Sequence, residues 1–131
     1  DSMKKTEKIF GLSETEYEIM EFMWQSDHKL TYKEILDYFN TEKNKNWKKQ
    51  TLSTFLTILK YAGHITAEGS GRRYLYSPVK TREQHVALWT QKLCREEFGG
   101  SITNIVSAFS GGERLSDKDI QELQAFLDQF K

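Results

Sequence analysis

The chain has 131 residues, a formal net charge of zero and 37% hydrophobic residues. This size fits one compact domain or a small domain with an appended helical part, and no apolar run approaches the roughly 18 residues that a membrane span requires. A single Cys excludes an internal disulfide and favours a reducing compartment. We therefore expect a soluble, cytoplasmic protein without membrane insertion.

Two capping boxes mark helix starts in the first part of the chain. Ser13 with Glu16, and Thr31 with Glu34, place a hydroxyl three residues before a carboxylate, so each pair can satisfy N–H groups at a helix N-terminus. The first helix is apolar enough to form the core of a folded head. The residues that we expect to build this core are Tyr17, Ile19, Met20, Phe22, Met23 and Trp24.

A third helix is predicted after Trp47, and its two faces differ in character. Leu52, Phe55, Leu56 and Leu59 recur at the spacing of one buried helical stripe. The opposite face is short and polar, with lysines at its start. Gln, Ser and Thr suit base edges in a DNA major groove, and Ser and Thr adapt to either partner, whereas Lys suits phosphates. The predicted base contacts are Gln50, Thr51, Ser53, Thr54 and Thr57, and the predicted backbone contacts on this helix are Lys48 and Lys49.

A short hairpin is predicted directly after this helix. Gly63 stops the helix, a strand over 64–68 follows, and Gly and Ser residues over 69–71 make a tight turn into a second strand with alternating aromatics. Arg72 and Arg73 then lie at the hairpin tip, where they can reach a phosphate or a minor groove, so we predict both as DNA backbone contacts. A helix-turn-helix followed by such a wing is a winged helix, a fold that commonly binds DNA.

Charge is distributed unevenly although its sum is zero. Between Lys43 and Arg73 there are seven cations and one acid, which gives this stretch a net charge of +6. From Thr81 onward there are six cations and eight acids, a net charge of −2. This pattern favours a basic head that reads nucleic acid and a separate, mildly acidic assembly module.

Three amphipathic helices are expected after Pro78, over 82–98, 102–109 and 116–130. A segment of roughly fifty residues rarely closes a sufficient core by itself. We therefore expect these faces to be buried against a second copy in a homodimer, and the alternative is that they fold back on the head of their own chain. The predicted dimerisation residues are Val86, Trp89, Leu93, Ile102, Ile105, Val106, Phe109, Leu123, Phe126 and Leu127.

The predicted fold is mainly α with a small β wing, in three segments. Residues 1–11 are expected to be a disordered N-terminal segment that begins with an expression scar, residues 12–79 a winged-helix DNA-binding domain, and residues 80–131 a dimerisation domain of three helices. His and Cys do not recur at metal-ligand spacings, and the glycines at Gly69 and Gly71 lead into a strand, whereas a phosphate-binding loop requires a helix N-terminus. We therefore expect no metal, no cofactor and no enzymatic activity.

In this order and spacing the residues resemble the penicillinase-repressor family of bacterial transcriptional regulators, also called the BlaI/MecI/CopY family. The resemblance runs from Leu12 to the end of the sequence. The residues that carry it are Leu12, Ser13, Glu16, Glu18, Ile19, Met20, Trp47, Lys48, Thr51, Thr54, Leu56, Gly63, Tyr74, Tyr76, Pro78, Gly99, Gly100, Leu115, Ser116 and Leu123. The resemblance implies a homodimeric repressor that binds a palindromic operator in double-stranded DNA and controls a resistance or stress operon.

The resemblance also carries expectations about induction. In the antibiotic-resistance members a sensor protease acts as a partner and the tail is cut before a Phe, which here corresponds to the bond between Ala108 and Phe109, with Ala where the best-known members have Asn. Copper-responsive members carry paired Cys residues that this sequence lacks. Gln50 and Ser53 stand where relatives have basic side chains, so the operator sequence cannot be transferred. Two rival interpretations remain open: a protein-interaction module with the same fold, and a nucleic-acid enzyme, which would need clustered carboxylates or a nucleophile with its base.

Overall fold

The computed structural model describes residues 8–70 and 73–130. The chain divides into two compact units, a head that ends at Trp89 and a tail that begins at Thr90. The elements are α1 (Glu14–Gln25), β1 (Leu30–Thr31), α2 (Tyr32–Thr41), α3 (Lys49–Tyr61), β2 (Ile65–Glu68), β3 (Leu75–Pro78), α4 (Arg82–Phe98), α5 (Ile102–Phe109) and α6 (Asp117–Asp128). This mainly helical chain with a small antiparallel sheet confirms the predicted fold class.

Both predicted capping boxes of the head form. Ser13 Oγ accepts a hydrogen bond from Glu16 N at 3.2 Å, and Glu16 Oε1 accepts one from Ser13 N at 2.8 Å. Thr31 and Glu34 make the same reciprocal pair, at 3.1 Å in each direction. These bonds satisfy N–H groups that a helix N-terminus leaves without partners, so α1 and α2 begin where their sequence signals place them.

One apolar core holds the head together. The eleven hydrophobic side chains that form it are no more than 3% exposed: Leu12, Ile19, Met20, Met23, Leu30, Ile35, Phe39, Leu52, Leu56, Leu59 and Ile65. The stripe predicted for α3 is confirmed at its three leucines, whereas Phe55 stays half-buried at the edge. In α1, Ile19, Met20 and Met23 are buried as expected, and its three aromatic residues pack around them.

The sheet has three strands, one more than the sequence predicted. β1 pairs with β3, and β3 pairs with β2, all antiparallel, in the order β1-β3-β2. β1 contains only two residues, which is too short for an alternating pattern to reveal. The return strand begins at Leu75, three residues later than predicted, so Arg73 precedes this strand. Gly69, with φ +117, is required there because a Cβ would lie 2.3 Å from Arg73 O.

The chain before α1 and the first turns of α4 belong to the head. The Phe10 ring meets the Trp89 ring edge-on at 5.4 Å between centroids, and His85 Nε2 lies 3.0 Å from Phe10 O. Phe10 belongs to the segment 1–11 that we expected to be disordered, of which residues 1–7 lie outside the described residues. The head unit runs to Trp89, ten residues past the limit predicted at residue 79, and the predicted division into domains stays a prediction. The contacts of Phe10 join positions more than seventy residues apart, so no local signal in the sequence could predict them.

The tail helices match their predicted bounds closely, but their apolar side chains are at most half-buried. Ser101 Oγ caps α5 by accepting from Asn104 N at 3.2 Å, and Ser116 Oγ caps α6 by accepting from Asp119 N at 3.1 Å. Among the described residues of α4, α5 and α6 none is buried. No helix in the described ranges combines the length and apolarity needed to cross a membrane.

Candidate nucleic-acid interface

Asn40 fixes the start of α3 against the end of α2. Its Oδ1 accepts a hydrogen bond from Trp47 N at 2.6 Å, and its Nδ2 donates one to Trp47 O at 3.0 Å. The Trp47 ring stacks on Phe39 at 4.8 Å and on Phe55 at 5.7 Å between ring centroids. Because Phe39 is fully buried, this stack anchors the turn between the two helices to the core. The outer face of α3 therefore stands on a rigid support, as a precise recognition surface requires.

The outer face of α3 is polar and open to solvent. Gln50, Ser53, Thr54 and Thr57 are exposed, and Thr51 is half-buried at the edge of the face. A shallow depression of about 470 Å³ lies on this face, lined by Lys49, Gln50, Ser53, Thr54, Thr57 and Ile58. The structure thus brings four of the five predicted base-contacting residues together and leaves Thr51 at the margin.

Two hydroxyls of this face already have partners inside the protein. Thr54 Oγ1 donates to Gln50 O at 3.0 Å. Ser53 Oγ lies 3.0 Å from the hydroxyl of Tyr32, the first residue of α2, and that phenol in turn donates to Lys49 O. The Gln50 amide, in contrast, makes no side-chain hydrogen bond with any residue that the structure describes, so both of its ends are available.

Exposed cations border the face. Lys48 and Lys49 lie at the N-terminus of α3, where Lys48 is the N-cap residue and makes no side-chain capping bond. Arg73 is exposed in the wing loop, whereas Arg72 lies outside the described residues. Lys45, which contributes to the basic stretch of the sequence, is instead held at 3.0 Å by a carboxylate of α1. The cations that remain available are therefore those next to α3 and the wing.

The wing lies directly beside α3. A groove of about 240 Å³ separates them, lined by Ser53, Leu56, Thr57, Lys60, Ala67, Tyr74 and Tyr76. The end of β2 is tied to the segment before β1 by an ion pair of 2.6 Å between Lys29 Nζ and Glu68 Oε2. The Tyr76 phenol is neutral at physiological pH, and burial raises its pKa further above the ordinary value of 10.0. The groove floor is thus uncharged, and its positive charge comes from Lys60 at the rim.

Comparison with known proteins identifies the family of the chain. The family model described as "Penicillinase repressor" matches residues 12–129. The chain belongs to the penicillinase-repressor family. The penicillinase repressor of Bacillus licheniformis is 24% identical over 124 residues, which cover 95% of this chain and 94% of that protein. The predicted family is thereby confirmed, and the match spans both the head and the tail of what is a transcriptional repressor.

The dimerisation residues predicted for this penicillinase-repressor chain fall in two environments. Val86 and Trp89 belong to the head, where Trp89 packs on Phe10, so the first turns of α4 do fold back on their own chain. The others lie in the tail. Three of these tail residues are half-buried, namely Leu93, Ile105 and Val106. The other five are exposed: Ile102, Phe109, Leu123, Phe126 and Leu127. The bond between Ala108 and Phe109 lies in the last turn of α5, so a protease would need local unwinding to reach it.

Sequence reasoning missed three residues that shape the outer face of α3 or its support. Ile58 is 45% exposed and lies on the outer face of α3, the face that we later propose to read DNA. It follows Thr54 by four positions, so helical periodicity could have placed it there. Asn40 and Tyr32 left no comparable signal, because their roles depend on how α2 approaches α3. Among the described residues no group of three or more His, Cys, Asp or Glu side chains could hold a metal ion.

Proposed function

We propose that this chain is a homodimeric, sequence-specific DNA-binding repressor that acts at a palindromic operator. The observation that carries the proposal is the outer face of α3, which is polar at its centre, bordered by exposed lysines and anchored to the core through Trp47. A solvated helix has no need of such a support. A helix that reads base edges does, because hydrogen bonds to bases tolerate little displacement.

The residues divide by role. Gln50 offers a free amide, which can bond the N6 and N7 atoms of adenine together. Ser53, Thr54 and Thr57 meet neighbouring bases, with the Thr methyl groups suited to thymine methyls, and Thr51 contributes at the edge. Phosphates are bound by Lys48, Lys49 and Arg73, which set the register without reading sequence. Arg72 joins them in this proposal.

Dimerisation follows from the tail. Ile102 and Phe109 on α5, and Phe126 and Leu127 on α6, are each more than half exposed. Apolar faces of this extent mark an association surface, and a second copy supplies an identical one. A two-fold dimer presents two reading faces to half-sites about one helical turn, roughly 34 Å, apart, which is why the operator is palindromic.

The test is equilibrium binding of the full chain to the duplex DNA upstream of its own gene, with excess random-sequence competitor, at two salt concentrations. We expect binding that survives the competitor and takes two chains per site. Gln50→Ala should weaken this site about tenfold or more without changing binding to random DNA, since a lost bidentate contact costs about 1–3 kcal/mol. Gln25→Ala, at an exposed glutamine at the end of α1, is the matched control and should have no effect.

The lysines should behave differently. Replacing Lys48 and Lys49 together with Ala should weaken binding to all sequences and flatten the dependence of log K on log salt by about two units, one for each lost phosphate contact. If the competitor abolishes all binding by the unaltered protein, the chain does not read sequence, and the protein-interaction module becomes the better interpretation.

A further inference from the structure

We propose that Tyr32 sets the hydrogen-bonding polarity of the reading face, so that Ser53 presents only an acceptor to DNA. Tyr32 is thus a positioning residue that acts through Ser53, and the inference rests on the proposed function. It replaces the expectation, drawn from sequence, that Ser53 adapts to either kind of base edge. The class of partner atom that Ser53 recognises then becomes predictable.

The direction of each hydrogen bond follows from a count of protons. A phenol has one hydroxyl proton, and a backbone carbonyl can only accept. The Tyr32 hydroxyl therefore gives its proton to Lys49 O. In the contact of 3.0 Å between Tyr32 Oη and Ser53 Oγ, Tyr32 has only a lone pair left to offer, so Ser53 must be the donor. The single hydroxyl proton of Ser53 points into the protein, and its lone pairs point outward.

The neighbouring residue repeats this polarity by a different route. Thr54 Oγ1 donates to Gln50 O at 3.0 Å, within the helix itself. Its hydroxyl proton is therefore also directed at the protein, and it too offers lone pairs to a ligand. Two adjacent residues at the centre of the face thus act as acceptors, whereas the side chains of Gln50 and Thr57, which make no hydrogen bond with a described residue, keep both a donor and an acceptor free.

Acceptors in the major groove recognise amino groups. Adenine N6 and cytosine N4 donate there, whereas guanine O6 and N7 and thymine O4 only accept. A base edge that only accepts would face the lone pairs of Ser53. To donate to it, the Ser53 hydroxyl would have to rotate and give up its hydrogen bond to Tyr32 Oη. We therefore expect adenine or cytosine at the base that meets Ser53, and discrimination against guanine and thymine.

The experiment begins with a fully randomised duplex DNA library, from which the unaltered full chain selects its preferred site. The affinity for all four bases at each position is then measured for this protein, for Tyr32→Phe and for Ser53→Ala. Tyr32→Phe keeps the ring but releases the Ser53 proton. At one position and its symmetry mate, the penalty for guanine or thymine should shrink about tenfold, within the range of single base contacts, while other positions and the salt dependence stay unchanged.

Two controls separate this role from a structural one. Tyr38→Phe makes the same change elsewhere in α2. The Tyr38 ring stacks on Phe22 at 3.8 Å, and its hydroxyl makes no hydrogen bond with a described residue. This variant should alter no base preference. Ser53→Ala should abolish discrimination at the same position, and Tyr32→Phe added to it should change nothing further. Ser53→Ala also tests the proposal if Tyr32→Phe does not fold.

The outcomes are distinguishable. The inference is overturned if Tyr32→Phe weakens all bases equally, if discrimination is unchanged, or if the preferred base opposite Ser53 is guanine or thymine. In each of these cases the selected site still stands and the proposed function survives. If the unaltered protein enriches no sequence at all, the proposed function fails, and this inference fails with it.

Discussion

The head and the tail are built from equally well-formed helices, yet they differ completely in packing. The head buries eleven hydrophobic side chains to 3% exposure or less. The described part of the tail buries none, although its helices begin at serine caps of the same kind. Local signals in the sequence therefore specify helices in both units, but only the head has residues of its own that bury the apolar faces of its helices. Helices in proteins are stabilised mostly by tertiary packing, so the tail helices need a surface outside the tail to pack against.

The composition of the two units shows why. Aromatic side chains in the head pack on one another, as in the stack of Phe39, Trp47 and Phe55. In the tail the described ring contact is between Phe126 and Phe130, at 5.0 Å, and both rings are more than half exposed. The tail thus has apolar side chains suited to a core, but its described residues provide no surface that buries them. The same apolar surface on a second copy could cover them in a dimer.

The largest effect is expected from truncating the centre of the head core. Phe39→Ala removes a fully buried ring that contacts Phe22, Tyr38 and Trp47. Phe→Ala changes in cores cost about 3–5 kcal/mol, so we expect the free energy of unfolding to fall by that amount. Urea unfolding followed by tryptophan fluorescence measures it, because all three Trp residues of the chain lie in the head.

Phe109→Ala is the matched control, since it removes the same ring from a position that is 75% exposed. It should leave the fluorescence transition of the head unchanged. An equal loss of head stability in the two variants would contradict the contrast between the units, because it would mean that Phe109 belongs to the same core.

An intermediate effect is expected at the tail surface. If α5 and α6 bury their apolar faces in a homodimer, Phe109→Ala or Phe126→Ala should raise its dissociation constant about thirtyfold, since truncated interface anchors cost about 2 kcal/mol. Sedimentation equilibrium measures this directly. Gln124→Ala, at an exposed polar position of α6, should change nothing. An unaltered protein that stays monomeric at micromolar concentration would remove the dimer from the proposal.

Sequence alone predicted the elements of both units well, because capping boxes, glycine stops and apolar periodicity are local. It also predicted the outer face of α3, since periodicity assigns faces. It failed where distant residues meet. The docking of Phe10 on Trp89 extended the head into α4, and β1 exists only through its pairing with β3. Ser53 was assigned to the face correctly, but its bond to Tyr32 depends on the approach of two helices and left no trace in either local pattern.

The smallest effect concerns pH, and it distinguishes two histidines of the head. Partial burial lowers the pKa of His64 below its ordinary value of 6.5, and the nearby His85 and Lys80 lower it further, while Glu16 opposes them. The pKa of the exposed His28 is raised, mainly by its hydrogen bond to Asp27 and to a lesser extent by its hydrogen bond to Glu34. The neutral ring of His64 is favoured by folding, and so is the charged ring of His28. Their contributions to stability therefore change with pH in opposite directions.

The lowered pKa of His64 stabilises the folded state fully above pH 6.5, and this stabilisation is lost as the pH falls through the pKa of the folded state. The raised pKa of His28 stabilises the folded state below pH 6.5, and this stabilisation is lost as the pH rises through that raised pKa. Within a His28→Gln background, which removes the opposing term, the head should lose stability between pH 7.5 and pH 5.5, and adding His64→Gln should reduce that loss. Solvent screening keeps the difference small, so matched urea titrations at the two pH values are needed. A greater loss after His64→Gln would mean that attraction to Glu16 outweighs burial, and that the charged ring stabilises the head.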